Sequence, residues 1–255
     1  MEIELDYTKD VHGNAARYYE KAKEARKKRE GLEKAIKETE KEIEKAKEKQ
    51  ESKPKMKVKR EKKYYEKFHW FFTSEGKLVI GGKNAQQNDL LVSRHMEDND
   101  LFFHADIQGG SAVVLKEGIK ASKEEKLEAA QFAASFSNAW KNGNAAVDVY
   151  AVRRLQLAKH VSGGYVGAGG FAIQGEREWF KGTALGLKVG KGEEAAEILP
   201  EKSNRSLDAG IYLFPAATGK EKGSLAKSLA KRFNADVDEL LQILPSGKTK
   251  TKIIS

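Results

Sequence analysis

A run of about 37 residues without a proline, from Asn14 to Gln50, limits this chain more than any other feature. Glu, Lys and Ala dominate it, and its one internal glycine is Gly31. Such a stretch predicts one continuous helix, with Asn14 as N-cap. Tyr18, Ala22, Ala25, Leu32, Ile36, Ile43 and Ala46 recur in steps of four and three, once Arg29 and Thr39 are counted as polar members of the seam. That is a heptad pattern, and at 1.5 Å per residue the helix would extend roughly 55 Å, farther than a small domain reaches across. Pro54 should end it near Ser52, because proline disfavours helical geometry in the residue before it. A shorter return helix is expected from about Met56 to Phe68, which makes residues 1–69 a coiled-coil hairpin arm.

Charge follows the same division. Residues 1–13 carry −3 and residues 14–69 carry +9; residues 70–247 are neutral, and Lys248, Lys250 and Lys252 add the rest of the net +9. Around the bend, Lys57, Lys59, Arg60, Lys62 and Lys63 stand with Lys53 and Lys55 against the single acid Glu61. A polyanion would be drawn to the arm, with selectivity left to the neutral body. The same run also reads as a solvated helix face, so charge alone does not decide. Cysteine is absent, which excludes disulfides and thiolate metal sites. The acidic opening MEIELDYTKDV and the lack of any long apolar run predict neither secretion nor a membrane span, and so a cytoplasmic protein.

From Trp70 the pattern changes to short apolar runs. FHWFFTSEGKLVIGG predicts two strands about a Ser74–Gly76 turn, and DLFFHADI and SAVVLK another pair about Gln108–Gly110. SKEEKLEAAQFAASFSNAWKN predicts a helix with Ser122 as N-cap and Glu125 completing a capping box. DVYAVRRLQLAKHV and GGFAIQGEREWF read as strands on either side of the glycine-rich SGGYVGAGG, a mobile loop. The fold class expected is α+β: a mixed or antiparallel sheet packed with a helix over residues 70–182, after the arm. Residues 183–255 form a C-terminal extension with a strand at SLDAGIYLFPA, helices at 224–233 and 236–244, and a basic tail. The helix pair has helix-turn-helix spacing, but two short helices are the usual form of a satellite packed on a core.

Several motifs invite chemistry and are set aside. GKLVIGGKN has the wrong spacing before Lys83 for a phosphate loop, and Asn84 stands where a magnesium-binding hydroxyl belongs. SGGYVGAGGF leads into a strand, not into a helix that could hold a pyrophosphate. His104 and Asp106 share a strand face and could transfer a proton or supply two ligands to a metal, as in a hydrolase. No third ligand stands at characteristic spacing, so a structural pair is the reading adopted, with no catalytic residue, metal or cofactor assigned. The amide-rich Lys83, Asn84, Gln86, Gln87 and Asn88 suit hydrogen bonding to RNA backbone or base edges.

These residues carry a family resemblance. WFFTSEGKLVIGGKNAQQNDLLV, DLFFHADIQGGSAVVLK, AAQFAASFSNAW and VSGGYVGAGGFAIQG, in this order within residues 64–182, resemble the NFACT RNA-binding domain of the ribosome quality control factors. That family includes nuclear export mediator factor and the bacterial fibronectin-binding-protein-like homologues. NAARYYEKAKEARKKREG is similar to the start of the family's coiled-coil arm. The resemblance implies a factor that binds large ribosomal subunits obstructed by peptidyl-tRNA and recruits tRNA to extend the stalled chain. A full-length member would carry an NFACT N-terminal domain and a helix-hairpin-helix segment before the arm. Neither is present here, which suggests a C-terminal fragment or a reduced member and leaves tail synthesis unassigned. The partners implied are tRNA and large-subunit ribosomal RNA, with a partner helix or the missing N-terminal NFACT domain on the arm. Lys83, Asn84, Gln86, Gln87, Asn88, His104 and Asp106 match the family's blocks and are its candidate RNA contacts. Arg153, Arg154 and Lys159 join them on charge alone. A protein-interaction module docking through the arm remains the main alternative.

Overall fold

The computed structural model describes residues 4–51, 63–161, 164–192 and 195–253, and the chain divides into two compact units at Glu61 and Lys62.

The first unit is dominated by helix α1 (Val11–Glu51). Its cap is Asp10, whose carboxylate accepts the Gly13 N–H at 2.6 Å. Asn14 is therefore not the cap expected from sequence. Its buried amide sits one turn inside the helix, accepting the Asp6 N–H at 2.8 Å and donating to the Asp6 carbonyl at 2.9 Å. The residues that begin the heptad seam are mostly small, and its large members stay in solvent: Leu32, Ile36 and Ile43 are each at least half exposed. Isolated ion pairs such as Arg29–Glu33 (3.5 Å) lie along the surface and contribute little each.

The second unit opens with a 3₁₀ turn, Tyr64–Lys67, closed by the Lys63 N–H donating to the Glu66 carboxylate at 2.9 Å. This departs from the expected return helix. Most of that helix falls on residues 52–62, outside the described residues, and its end is a single tight turn that becomes extended at Phe68. Tyr65 and Phe68 are buried in the second unit's core, so the body begins before Trp70.

Six strands make the main sheet, every neighbour antiparallel, in the order β1-β2-β4-β3-β5-β10. They are β1 (His69–Phe72), β2 (Leu78–Gly81), β3 (Leu101–Ala105), β4 (Val113–Leu115), β5 (Ala146–Arg153) and β10 (Glu178–Ala184). Short pairs fill the excursion between β5 and β10: β6 (Leu157–Ala158) with β9 (Ala172–Ile173), and β7 (His160–Val161) with β8 (Gly164–Tyr165). The amide-rich segment after β2 is helix α2 (Ala85–Leu90), continued by a π-helical turn Leu91–His95. It is not the open turn that sequence suggested, because Asn84 caps it by accepting the Gln87 N–H at 2.9 Å.

Strand alternation gives the sheet two buried faces. Phe71, Val79, Leu101, Phe103 and Val149 meet helix α3 (Lys123–Ser135), and Ile80, Phe102, Val114 and Val152 meet α2, Phe68 and the excursion. Helix α3 starts as expected: Ser122 accepts the Glu125 N–H, while Glu125 accepts the Ser122 N–H at 3.1 Å. It ends at Ser135, where Ser137 caps the separate turn α4 (Asn138–Lys141), so the expected single helix is two. Glu125 is fully buried, bound by Thr73 Oγ1 and Lys77 Nζ, each at 2.6 Å. Burial alone would raise its carboxyl, but these hydrogen bonds outweigh it and hold the group below its ordinary value.

The C-terminal region is a second antiparallel sheet, β12-β11-β13-β14. Its strands are β11 (Leu187–Lys191), β12 (Ala196–Pro200), β13 (Asp208–Lys220) and β14 (Thr249–Ile253), with α5 (Lys222–Phe233) and α6 (Val237–Ile243) between the last two. Three strands beyond the one expected are present, and the presumed tail is β14, paired along β13 from Ile211–Ile253 to Pro215–Thr249. Leu187, Leu199, Leu213 and Leu229 share one core with α3 and the main sheet, so residues 183–255 pack with the body and not as an appended segment.

Candidate nucleic-acid interface

The face of the main sheet covered by α2 carries the candidate site, and close backbone packing holds it together. Gly82 must be glycine, because a Cβ there would lie 2.1 Å from the Asn88 side-chain oxygen. Buried Asn88 in turn accepts the Ala112 N–H at 3.1 Å, tying α2 to the start of β4. Gln87 accepts the Lys83 N–H at 3.0 Å and donates to the Lys67 carbonyl at 3.3 Å. Of the amide-rich residues, then, Asn84, Gln87 and Asn88 serve the fold, and Asn84 and Gln86 are exposed. Lys83 is half-buried beside them.

The glycine-rich segment folds back onto this helix. Gly169 (φ +75°) lies so close to Ala85 that a Cβ would approach its Cα to 2.6 Å, and its N–H donates to the Asp89 carboxylate at 3.0 Å. Lys159 binds the other Asp89 oxygen and the Gly170 carbonyl, with its ammonium 4.1 Å from the Phe171 ring centroid. Burial would raise the Asp89 carboxyl, but Lys159 and the Gly169 N–H more than offset it and keep the group below its ordinary value. The hairpin expected to be mobile is thus docked on α2. It presents exposed His160 and Tyr165, whose rings meet edge-on at 5.0 Å.

From Phe171 an aromatic row crosses the sheet. Phe171 contacts Phe102 at 5.7 Å, Phe102 stacks with His104 at 6.2 Å, His104 reaches Tyr150 at 5.9 Å, and Tyr150 meets Trp179 at 5.6 Å. Cations sit over its far end: Arg177 lies 4.6 Å from the Tyr150 ring and Lys181 3.9 Å from that of Trp179. Such contacts are favourable and leave planar rings beside positive charge. Burial pulls the His104 imidazole below its ordinary value, despite hydrogen bonds with the backbone at Ala105 and Gly110 and the nearby Asp106 carboxylate. His104 is therefore neutral near pH 7 and part of the row, while Asp106 is exposed just past the strand. Among the described residues no group of three metal-binding side chains exists.

The remaining sequence candidates divide. Arg153 is exposed, whereas Arg154 donates to the Met96 carbonyl at 2.6 Å and braces the π-helical turn. Lys63 is exposed at the start of the second unit; Lys57, Lys59, Arg60 and Lys62 lie outside the described residues. Tyr150, Tyr165, Arg177, Trp179 and Lys181 belong to the candidate site by geometry and were not among the sequence candidates. The period-two alternation Arg177, Trp179, Lys181 in EREWFKG was the available signal, since alternate residues share a strand face.

Residues 67–175 match the family described as NFACT protein RNA binding domain. The chain carries an NFACT RNA-binding domain. Its relatives are ribosome quality control factors. It is 39% identical to the archaeal Rqc2 homolog aRqcH of Methanocaldococcus jannaschii, over 72% of this chain and 28% of that protein. With the ribosome quality control complex subunit NEMF homolog of Drosophila melanogaster the identity is 33%, over 72% of this chain and 19% of the relative. The chain thus spans less than a third of the length of these relatives. The C-terminal part of the fibronectin/fibrinogen-binding protein from Streptococcus suis aligns over 51% of this chain and 49% of its own, with 27% identity and a TM-score of 0.40. The NFACT RNA-binding domain encloses α2, the docked hairpin and all of the aromatic row except Trp179, with Arg177 and Lys181 just beyond the match.

Proposed function

We propose that this chain binds tRNA and large-subunit ribosomal RNA as part of a cytosolic ribosome quality control factor acting on stalled large subunits that hold peptidyl-tRNA. The basic arm supplies attraction to phosphate without regard to sequence. The face built from Lys83, Gln86, the His160–Tyr165 hairpin and the aromatic row with its cations supplies selection. The exposed end of that row, Trp179 with Arg177 and Lys181, is the observation that supports the assignment to this face, with buried Phe102 and Tyr150 behind it: a flat ring beside cations suits unpaired bases and their phosphates. The reading gives the chain no catalytic step and no cofactor; His104 is a wall of the surface and not a base. The experiment is a salt titration of binding to tRNA and to an unrelated RNA duplex of equal length. Affinity for tRNA should fall steeply as salt rises and should exceed that for the duplex at every salt concentration. Equal affinities, or a flat salt response, would overturn the assignment.

A second reading rests on the exposed Leu32, Ile36 and Ile43 of α1. That apolar seam fits a partner helix, or an NFACT N-terminal domain, and such binding would persist at high salt.

A further inference from the structure

Strand β10 is the end of the main sheet, hydrogen-bonded to β5 on one side only among the described residues. Along its open side runs a groove of about 490 Å³, walled by β10 and by helix α3. Lys123, Lys126, Lys181 and Lys202 line it with one acid, Glu178, and Trp179 stands at its rim, 38% exposed, with its ring turned to Tyr150 on the other face of the strand. Lys126 and Glu178 pair across the groove at 3.1 Å, and Lys181 pairs with Asp148 at 2.7 Å. Among the described residues no acid forms an ion pair with Lys123 or Lys202. Gln131 Nε2 donates to the Ala184 carbonyl at 3.1 Å and ties α3 to the end of the strand.

An open strand edge beside a helix is also the shape of a peptide groove, but β10 is poorly suited to adding a strand. Its register with β5 slips between Phe180 and Thr183, with Gly182 at φ +57°. Such a bulge beside a lysine is a device that prevents edge pairing. What remains for a ligand is lysine charge and an indole, and these recognise phosphate and base rather than backbone.

We infer that a single-stranded segment of the bound RNA rounds the β10 edge, with a base on Trp179 and a phosphate at Lys181 on one side and phosphates at Lys123, Lys126 and Lys202 in the groove between α3 and β10. This deepens the RNA reading above and rests on it. Trp179 ends the aromatic row on the edge strand and stands at the rim of the groove, so an unpaired strand leaving the row reaches the groove by rounding the edge of β10. A base on the indole takes the place of the Lys181 ammonium and releases it to phosphate.

The test uses the full chain with a single-stranded oligoadenylate and, separately, a blunt RNA duplex. Oligoadenylate should quench tryptophan fluorescence, and the quench should vanish in Trp179→Phe, which keeps a ring and most of the affinity. Trp179→Ala should weaken oligoadenylate about tenfold, the usual cost of one lost base stack. Lys123→Glu with Lys202→Glu should weaken it further, with duplex binding little changed in all three variants. Thermal melting of each variant confirms that it folds. If wild-type chain binds tRNA but oligoadenylate neither quenches Trp179 nor responds to the groove variants, the inference is wrong and the broader reading stands. If no RNA binds at all, the broader reading fails first. Quenching of Trp179 by a Glu-rich peptide, without quenching by oligoadenylate, would make the groove a protein site and overturn the inference.

Discussion

The lysines of α1 and those of the body are the same residue put to opposite uses. On α1 the described lysines and arginines are exposed or half-buried, and their ion pairs are loose surface contacts such as Lys23–Glu20 at 3.9 Å. In the body, the cations nearest the candidate site are engaged in holding it. Lys159 anchors the hairpin and Arg154 braces the π-helical turn, while buried Lys188 donates to the Ser203 and Arg205 carbonyls. Positive charge near the candidate surface is therefore not by itself evidence of RNA contact. A long-range field needs only solvated charge, whereas a shaped surface needs charges with fixed partners.

This contrast predicts that body charges register first in stability and arm charges first in affinity. The largest effect is expected at Glu125. Glu125→Ala strands Lys77 and Thr73 and should cost about 3 kcal/mol, lowering Tm by several degrees in a calorimetric scan. Lys159→Ala should follow at roughly 2 kcal/mol, because Asp89 loses its charged partner. RNA affinity should fall with it as the hairpin comes off α2. Equal Tm values for Lys159→Ala and wild type would place that side chain among the solvated charges and blur the comparison.

Reversing Lys57, Lys59, Arg60, Lys62 and Lys63 to Glu should do the opposite. Tm should stay within about 0.5 kcal/mol of wild type in equivalent stability, while affinity for every RNA drops and its salt dependence becomes shallower. Loss of the fold in this variant would mean that the segment packs in a core.

Acid sharpens the contrast from another side. Burial holds His69 well below, and His104 below, the ordinary value of 6.5, so the unfolded chain takes up these protons before the folded one does. Their contribution to stability is complete above about pH 6.5 and declines as pH falls below it. Glu128, whose carboxyl burial raises from 4.5, acts in the opposite sense. Melting curves between about pH 7.5 and about pH 5 should show a fall that is smaller in His69→Asn and His104→Gln. The smallest effect is expected for Gln86→Ala, about 1 kcal/mol of RNA affinity with Tm unchanged.

What was legible in the sequence was what neighbours decide. Ser122 and Glu125 cap α3 within one turn, and the Ser74–Gly76 turn joins two consecutive strands, so local chemistry was enough. The roles of Lys159 and Arg154 were not legible, because their partners lie 70 and 58 residues away. Asn88 looked like a reader of RNA and is a buried brace, for its partner Ala112 is met only when α2 folds over the sheet. Strand β14 was mistaken for a tail because lysines alternate along it. That pattern suits an edge strand equally well, and only β13 distinguishes the two. The NFACT motifs lie within the region that the family match covers, residues 67–175, and left open which of its polar residues face outward.

The most direct test of the account is hydrogen exchange of the full chain with and without tRNA. Slowed exchange is expected at residues 83–86, at 160–165 and at 177–181, with the second sheet at 196–200 and 208–215 unchanged. Protection confined to the arm, or spread over the second sheet while the α2 face exchanges as before, would contradict it.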